Sequence, residues 1–550
     1  MLSVAAGSVA AFVVQPALAQ DEPAKGDRPN IVFIMADDLG YSDLGSFGGE
    51  VDTPNLDALA EEGLRFTNFY NMSRCCPTRA SLLTGLYPHQ AGIGGMTYAG
   101  ERDSYRGRLH PYVPTVAEVL KDSGYATGMV GKWHVSNTLE REDHMKDLNR
   151  QRFPEVFSPI EQYPTRRGFD FYYGNIWGVV DFFNPFSLVN GEEPVKELPD
   201  DYYITNAINE NAVKFIEDRG DDDAPYFLYI AHCAPHWPLH ALPEDIEKYR
   251  DQYNDGHESI RQARYDRMVE MGVIDPETTK LSPMVHPKAW DKLSDEEKEF
   301  QSGLMQAHAA MVDRMDQGLG DVFQAIKDNG DWDNTLIVFL SDNGASPERY
   351  INPGFDRPNV ARDGEPIHYE YDDLDRLAGP EHTFYYLGFD WANVANTPYR
   401  KAKASQYMGG ERTPMIAHWP AGMTAEAGSF VRAPAHVIDL MATALDLAGA
   451  KMPDDFGDRE TTPVQGKSLR PLLEGAESRD VEALYGAHEG GKSIITADGW
   501  KLVQDRNEQK WHLFNLNHDG SELDNVADDH PDRVKKMSEM WEAWAKKIGV

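Results

Sequence analysis

Two pairs of oxygen-bearing side chains follow two apolar segments of the chain. Asp37 and Asp38 come directly after the apolar run at 31–36, and Asp342 and Asn343 come after a second run that contains LIVFL. If both runs are strands of one open α/β sheet, their carboxyl ends meet at one edge, where such sheets bind ligands. Carboxylate and amide oxygens suit Ca²⁺ or Mg²⁺ better than zinc. The pattern favours a hard-cation site, although Asp-Asp pairs are also common in ordinary turns.

A second candidate group lies in the segment SRCCPTRASLLTG. Pro77 and Gly85 predict the two ends of a short helix, which puts Cys75 at the helix N-terminus, where free N–H groups attract anions. Arg79, on the first turn, can reach the same place with a planar and permanently charged guanidinium. The segment therefore predicts an anion site. Without this context, two adjacent cysteines are more typical of small buried apolar residues.

The segments around these residues predict an α/β fold. From Asn30 onward, short apolar runs alternate with helical patterns, which is typical of βαβ units around a largely parallel sheet. Helices are predicted at about 53–63, 115–122 and 311–330. Beyond about residue 450, the strand-like segments TADGWKLV and KWHLFNL precede a closing helix. We expect a large mixed, mostly parallel sheet sandwiched by helices, with a smaller C-terminal α+β domain built on an antiparallel sheet.

Three polar, aromatic-rich stretches are too long for ordinary connections. They cover about 135–200, 238–300 and 345–395. Such loops usually shape a binding site, although solvated insertions are the alternative. The aromatic segment 171–186 could face a phenyl ring or a sugar, or it could pack in the interior. The segment DDFGDRETTP, at 454–463, is interpreted as a linker.

The composition limits the possible partners. The 550 residues carry 90 acidic and 53 basic side chains, a formal net charge of −37, which argues against nucleic-acid binding. Three cysteines are too few for a disulfide scaffold. Residues 2–19 form a short apolar stretch that ends Ala-Leu-Ala and is typical of a signal peptide, although a positive n-region is missing. No segment reaches about 20 apolar residues, so no membrane span is predicted. We expect an exported protein, periplasmic or secreted.

The motifs carry a resemblance to a known family. Cys75-x-Pro77-x-Arg79 followed by ASLLTG matches the sulfatase signature, and the chain resembles type I sulfatases of the alkaline phosphatase superfamily, especially bacterial arylsulfatases. The resemblance continues in IVFIMADDLGYSDLGSFGG, GYATGMVGKWH, APHWPL, LIVFLSDNGA and KAKASQYMGGERTPMIAHWP. It covers the chain from about residue 29 to the C-terminus, in order.

The resemblance implies a role for each site residue. Cys75 would be oxidised by a dedicated maturation enzyme to formylglycine, whose hydrated aldehyde is the nucleophile and can later expel sulfate. Ca²⁺ would be held by Asp37, Asp38, Asp342 and Asn343, with an oxygen of the converted Cys75. The other implied roles are sulfate binding by Arg79 and Lys132, proton acceptance by His134, leaving-oxygen protonation by His236 and Lys403, and nucleophile activation by Asp342.

Lys403 is chosen among neighbouring cations by its spacing. It lies six residues before Gly409, as in the family pattern, whereas Arg400 and Lys401 are near alternatives. Met408 stands where many relatives have Glu or Gln. His232 and Cys233 lie too early in the segment that contains APHWPL to match the family pattern, and they are interpreted as structural.

The resemblance implies a sulfatase that hydrolyses aryl or carbohydrate sulfate monoesters. The expected division is a signal peptide at 1–19, a catalytic domain at 29–450 and a C-terminal subdomain at 451–550. Two alternatives remain: a phosphonate or phosphodiester hydrolase of the same superfamily, and a non-catalytic binder of sulfated glycans.

Overall fold

The computed structural model describes residues 28–138, 157–220, 224–284, 289–350, 352–353, 357–369 and 374–550. The predicted signal peptide at 1–19 lies outside the described residues. Within the described ranges, no helix is long and apolar enough to cross a membrane.

Helices and strands alternate along most of the chain. The helices are α1 Pro54–Glu62, α2 Cys75–Thr84, α3 Pro88–Ala91, α4 Val116–Asp122, α5 Ile204–Glu217, α6 Pro243–Lys248, α7 Gly256–Glu270, α8 Asp295–Asp328, α9 Gly388–Ala395, α10 Met408–Glu411, α11 Asp439–Ala448, α12 Arg470–Leu473 and α13 Pro531–Ile548. The strands are β1 Asn30–Ala36, β2 Leu64–Tyr70, β3 Ala126–Gly131, β4 Phe171–Asn175, β5 Leu188–Asn190, β6 Glu193–Pro194, β7 Tyr226–Ala231, β8 Thr335–Ser341, β9 Arg412–His418, β10 Phe430–Val431, β11 Ala435–His436, β12 Asp455–Phe456, β13 Arg459–Glu460, β14 Ala483–His488, β15 Gly491–Thr496, β16 Trp500–Gln504 and β17 His512–Asn515.

Eleven strands form one mixed sheet. Its order is β10-β2-β9-β8-β1-β7-β3-β4-β5-β6, and β11 also pairs with β2. The central strands β8, β1, β7, β3 and β4 are parallel, whereas β9 runs antiparallel to both of its neighbours. The predicted mixed, mostly parallel sheet is confirmed.

Helices cover both faces of this sheet. Val32 and Ile34 of β1 belong to an apolar cluster that includes α5 and α8. Phe33 and Met35 point the other way, into a cluster that includes α2, α4 and α11. Because β1 is buried on both faces, it is a continuous apolar run rather than an alternating one.

Local sequence signals explain several helix ends. Pro54 is the first residue of α1, with Thr53 before it and Gly63 after it, as predicted. Helix α8 is longer than the predicted 311–330 because it begins after a capping box formed by Ser294 and Glu297.

The C-terminal region forms a separate antiparallel sheet. Strands β14 to β17 pair in sequence order, and α13 packs on them, with the Trp541 indole donating to the Gly486 carbonyl at 3.0 Å. The predicted C-terminal α+β unit is confirmed. The segment interpreted as a linker instead contains the small hairpin β12–β13, where the Arg459 guanidinium lies 3.9 Å from the centre of the Tyr112 ring. Arg459 and Tyr112 are far apart in the sequence, and this cation–π contact holds the segment against the body of the protein.

Candidate active site

The ends of β1 and β8 bring the four predicted oxygen ligands together. The two strands are parallel neighbours, with Ala36 beside Ser341, so Asp37 and Asp342 leave the sheet side by side. Asp38 takes a left-handed conformation, with φ of 67°, and accepts a hydrogen bond of 2.6 Å from the Asn343 amide. All four side chains are buried. The predicted convergence at one sheet edge is present.

Two cations from other elements lie against these carboxylates. The Arg79 guanidinium of α2 is 2.9 Å from Asp342 and 3.6 Å from Asp37. Lys132, which follows β3, lies 2.5 Å from the other oxygen of Asp37. Burial alone would raise the pKa of Asp37, but the charge of Lys132, aided by His236 and Arg79, outweighs burial and lowers it. Burial and the neighbouring Asp37 raise the pKa of Asp342 well above its usual range.

Cys75 is the first residue of α2 and is 2% exposed. A hydrogen bond with the Cys76 thiol lowers the pKa of Cys75 well below its usual value, and this effect, together with the charges of Lys132 and Lys403, outweighs burial. His134 also takes a left-handed conformation, with φ of 53°. Burial lowers its pKa to about 4, so its imidazole is neutral at neutral pH.

Lys403 and His236 lie on the other side of Asp38. The Lys403 ammonium is 2.7 Å from Asp38, and Nε2 of His236 is 3.4 Å from the same carboxylate. Nδ1 of His236 donates to the Trp237 carbonyl at 2.6 Å. Burial lowers the pKa of His236. Asp38 and Glu348 raise the pKa of Lys403 despite its burial, so it stays protonated.

The structure separates Lys403 from its two neighbours. Arg400 stacks on the Tyr407 ring, 4.5 Å from its centre, and Lys401 is directed toward Asp505 at 4.0 Å. Neither residue lines the cavity above Cys75. Of the three cations considered from the sequence, Lys403 is the one beside Asp38.

The two residues interpreted as structural are buried away from this cavity. The Cys233 thiol donates to the Asn175 side-chain oxygen at 3.2 Å, and burial raises its pKa to about 12. Burial lowers the pKa of His232 to about 3. Neither side chain lines the cavity above Cys75.

A cavity of about 320 Å³ opens above Cys75. The cavity is lined by Cys75, His134, His236 and Lys403 and by the aromatic side chains of Trp177 and Trp237. The aromatic stretch 171–186 is therefore divided: Trp177 faces the cavity, whereas other members of the stretch, such as Tyr172, pack in the core.

Glu348 is a cavity residue that the sequence analysis missed. Its carboxylate lies 2.7 Å from Arg74 and 3.5 Å from Lys403, and it accepts a hydrogen bond of 2.9 Å from the Trp237 indole. Burial would raise its pKa, but Lys403 and Arg74 hold it well below the usual range. Its position five residues after Asn343, on the loop that leaves β8, was the available signal.

The carboxylate cluster fits a hard divalent cation. Oδ1 of Asp37 and Oδ1 of Asn343 are buried and have no hydrogen-bond partner among the described residues. Ligand atoms of Asp37, Asp38 and His236 lie within 4.8 Å of one another. Buried oxygen acceptors without donors are costly unless a cation or a polar group satisfies them. The carboxylate and amide oxygens of Asp37, Asp38, Asp342 and Asn343 are the type of ligand that Ca²⁺ prefers in proteins.

Comparison with known proteins shows the family of the chain. The profile of the family described as Sulfatase matches residues 29–450, and the profile described as N-sulphoglucosamine sulphohydrolase, C-terminal matches residues 402–547. An arylsulfatase of Klebsiella aerogenes is 33% identical over 82% of this chain and 93% of its own length. An uncharacterized sulfatase of Schizosaccharomyces pombe is 31% identical over 97% of this chain and 96% of its own length.

The fold agrees as well. The crystal structure of Ps i-CgsB in complex with k-i-k-neocarrahexaose is 26% identical, with a TM-score of 0.64, and the match covers 94% of this chain and 92% of that one. The mixed sheet with helices on both faces, followed by an antiparallel sheet, is alkaline phosphatase-like, as predicted. The chain therefore belongs to the sulfatase family and is a sulfuric ester hydrolase.

Proposed function

We propose that this sulfatase hydrolyses aryl or carbohydrate sulfate monoesters through a formylglycine made from Cys75 and with the aid of Ca²⁺. The observation that carries the proposal is that Cys75, the first residue of α2, lines a cavity and lies near Lys132, Lys403 and the carboxylate cluster. The partner required is a maturation enzyme that converts the cysteine.

Residues of this chain would hold the calcium ion and form the nucleophile. Asp37, Asp38, Asp342 and Asn343, with an oxygen of the converted Cys75, would hold Ca²⁺, which supplies positive charge for the oxygens of the sulfate. Conversion of Cys75 would supply a hydrated aldehyde with two hydroxyls, one able to attack sulfur and the other able to lose its proton so that the aldehyde re-forms and sulfate is released.

The remaining chemistry belongs to the chain's own side chains. Arg79 and Lys132 bind the sulfate in a buried setting, where charge interactions are stronger than in water. In its ionised form, which Arg79 at 2.9 Å and a bound Ca²⁺ would favour, Asp342 accepts a proton from the attacking hydroxyl, and the neutral His134 accepts one when sulfate departs. The protonated Lys403 donates to the leaving oxygen, and His236 can donate there only when Nε2 is also protonated, because its Nδ1 proton is held by the Trp237 carbonyl.

The substrate must offer one ring to the cavity. A volume of about 320 Å³ lies at the small end of ligand sites, and its walls include Trp177 and Trp237. Aromatic walls suit either a phenyl ring or the apolar face of a sugar. The aryl and carbohydrate classes are therefore both retained.

Mass spectrometry of the peptide containing Cys75 tests the nucleophile. In protein made in its native host, we expect the thiol sulfur to be replaced by aldehyde oxygen. A Cys75→Ala variant should retain the fold and lose all hydrolysis. An unmodified cysteine in active or inactive native protein would contradict the proposal, and with inactivity it would favour a non-catalytic binder.

Parallel kinetics test the reaction class. We expect a higher kcat/KM on 4-nitrophenyl sulfate than on phenylphosphonate or on bis(4-nitrophenyl) phosphate. Greater efficiency on the phosphorus esters would instead make the chain a phosphonate or phosphodiester hydrolase, because sulfate and phosphate esters can use the same metal and cations.

The proposal also includes export and a two-part mature chain. Cleavage after residue 19 would leave a catalytic domain at 29–450 and a C-terminal subdomain at 451–550. N-terminal sequencing of protein recovered from the periplasm or the medium tests the cleavage; an uncleaved chain confined to the cytoplasm would contradict export.

A further inference from the structure

Glu348 connects three parts of the cavity. Its carboxylate contacts Arg74, the residue before Cys75, and Lys403, and it accepts the indole hydrogen bond of Trp237. Its side chain is 16% exposed, at the cavity edge. An acidic group in a pocket for an anion repels the substrate unless it is neutralised. Arg74 and Lys403 neutralise Glu348, but neutralisation does not explain why an acidic residue is present in this pocket.

The surroundings of Lys403 supply the reason. Its ammonium has two carboxylate partners, Asp38 and Glu348. Asp38 is also a proposed Ca²⁺ ligand, and the Asn343 amide donates to it. A cation bound by Asp38 competes with Lys403 for the same oxygens. Glu348 contacts none of the proposed Ca²⁺ ligands in the hydrogen bonds and ion pairs of the described residues, so it remains available to Lys403.

We propose that Glu348 is a positioning residue that holds Lys403, and through Trp237 the adjacent His236, at the end of the cavity where the ester oxygen departs. The inference rests on the proposed function, in which Lys403 and His236 assist the leaving group. Arg74, bound to the other carboxylate oxygen at 2.7 Å, keeps Glu348 in place.

A positioning role predicts a dependence on the leaving group. An ester whose phenol is a poor leaving group needs protonation of the departing oxygen, whereas an activated ester departs with little help. Loss of Glu348 should therefore slow poor substrates much more than good ones. A merely structural loss would reduce the concentration of active enzyme and would slow all esters by the same factor.

The test compares substituted aryl sulfates in E348Q, E348D, K403A and the unchanged enzyme. Phenyl sulfate releases a phenol with a pKa of about 10, like that of tyrosine. For E348Q we expect a loss in kcat/KM of about tenfold or more on phenyl sulfate and of about threefold or less on 4-nitrophenyl sulfate. K403A should show a larger difference of the same kind. E348D keeps the charge at a longer distance and should lie between E348Q and the unchanged enzyme.

Glu50 provides the matched control. Its carboxylate, with a side chain 13% exposed, also bridges two cations, Arg264 at 2.6 Å and Arg267 at 3.0 Å, but it does not line the cavity. E50Q should lower the melting temperature and leave the ratio of the two rates unchanged. Rates in every variant are divided by the formylglycine content from mass spectrometry.

The outcomes separate the two proposals. A changed ratio in K403A with an unchanged ratio in E348Q or E348D overturns the positioning role alone. An unchanged ratio in K403A overturns the proposed role of Lys403 and with it this inference. If E348Q does not fold, E348D decides: a ratio equal to that of the unchanged enzyme counts against positioning, and a changed ratio supports it.

Discussion

At the scale of single residues, the site is built from buried opposite charges. Asp37 pairs with Lys132, Asp38 with Lys403, and Asp342 with Arg79. Removing one member of such a pair leaves the other charge buried without compensation, which costs about 3–5 kcal/mol. Single substitutions here therefore affect stability as well as chemistry, and each needs a readout that separates the two.

Removal of calcium gives such a readout. We expect EGTA to abolish hydrolysis and Ca²⁺ to restore it, because three buried carboxylates converge. A ligand that binds only the folded state at 100 times its Kd stabilises that state by about 2.7 kcal/mol. Calorimetry should therefore show a higher Tm with Ca²⁺ than with EGTA, and this difference should shrink in Asp37→Asn. A Tm indifferent to Ca²⁺ would contradict the predicted metal site.

Gly178 provides a prediction about His134. A Cβ at this position would overlap the His134 imidazole, so the ring must leave its present position in Gly178→Ala. A displacement of about 1 Å can cost about 100-fold in rate, and we expect a loss of that order in kcat/KM. Gly95→Ala is the control, since its Cβ would meet the Tyr105 ring at an ordinary 3.5 Å. Equal activity of the two variants would contradict a tight His134 position.

At the scale of elements, the sequence predicts what local patterns determine. The buried strands β1 and β8, the ends of α1 and the closing helix α13 all follow from apolar runs and capping residues. Because neighbouring parallel strands end at one edge of the sheet, the sequence also predicts that Asp37, Asp38, Asp342 and Asn343 come together. It does not predict the positions of Glu348 and Trp177, because both residues lie on long loops. Glu348 is fixed by Arg74, which is 274 residues away in the sequence, and no local pattern reveals such a contact.

A buried group of one cation and two carboxylates joins the C-terminal sheet to helix α10, which follows Lys403 in the chain. Lys501 of β16 lies 2.8 Å from Glu411 of α10 and 2.7 Å from Glu522, and all three are buried. Glu522 also accepts a hydrogen bond from the Met408 backbone at 2.7 Å. One cation cannot neutralise two carboxylates. Burial accordingly raises the pKa of Glu411 to about 7, although Lys501 opposes the shift.

This ion group makes stability depend on pH. The pKa of Glu411 is about 7 when folded against 4.5 for the free group, so the folded state holds a proton that the unfolded state releases. Its contribution to stability therefore falls as pH rises from about 4.5 to 7, by at most about 1.4 kcal/mol per pH unit. Urea unfolding of Glu411→Gln and the unchanged protein at several pH values should show this difference. A difference independent of pH would contradict the raised pKa of Glu411.

At the scale of the whole molecule, the net charge differs from the local charge of the site, where three carboxylates are each paired with one cation. The chain carries −37, yet Arg79, Lys132 and Lys403 converge on one carboxylate cluster, and of the three Lys403 also lines the cavity. Within a buried site, near charges act through a low effective dielectric, whereas distant surface charges are screened by water and salt. Total charge therefore affects how the substrate approaches, and the local cations determine how it is bound.

That separation gives a kinetic prediction. Surface carboxylates should slow the approach of a sulfated substrate, and raising NaCl from about 0.01 M to 0.1 M shortens the screening length from about 30 Å to 10 Å. We expect kcat/KM on a sulfate ester to rise about two- to tenfold over this range while kcat stays constant, because steering acts on encounter and not on the bound state. Choline chloride at equal ionic strength should give the same rise, which excludes a specific effect of sodium. A flat or falling profile would mean that the surface charge lies too far from the cavity mouth to influence the substrate.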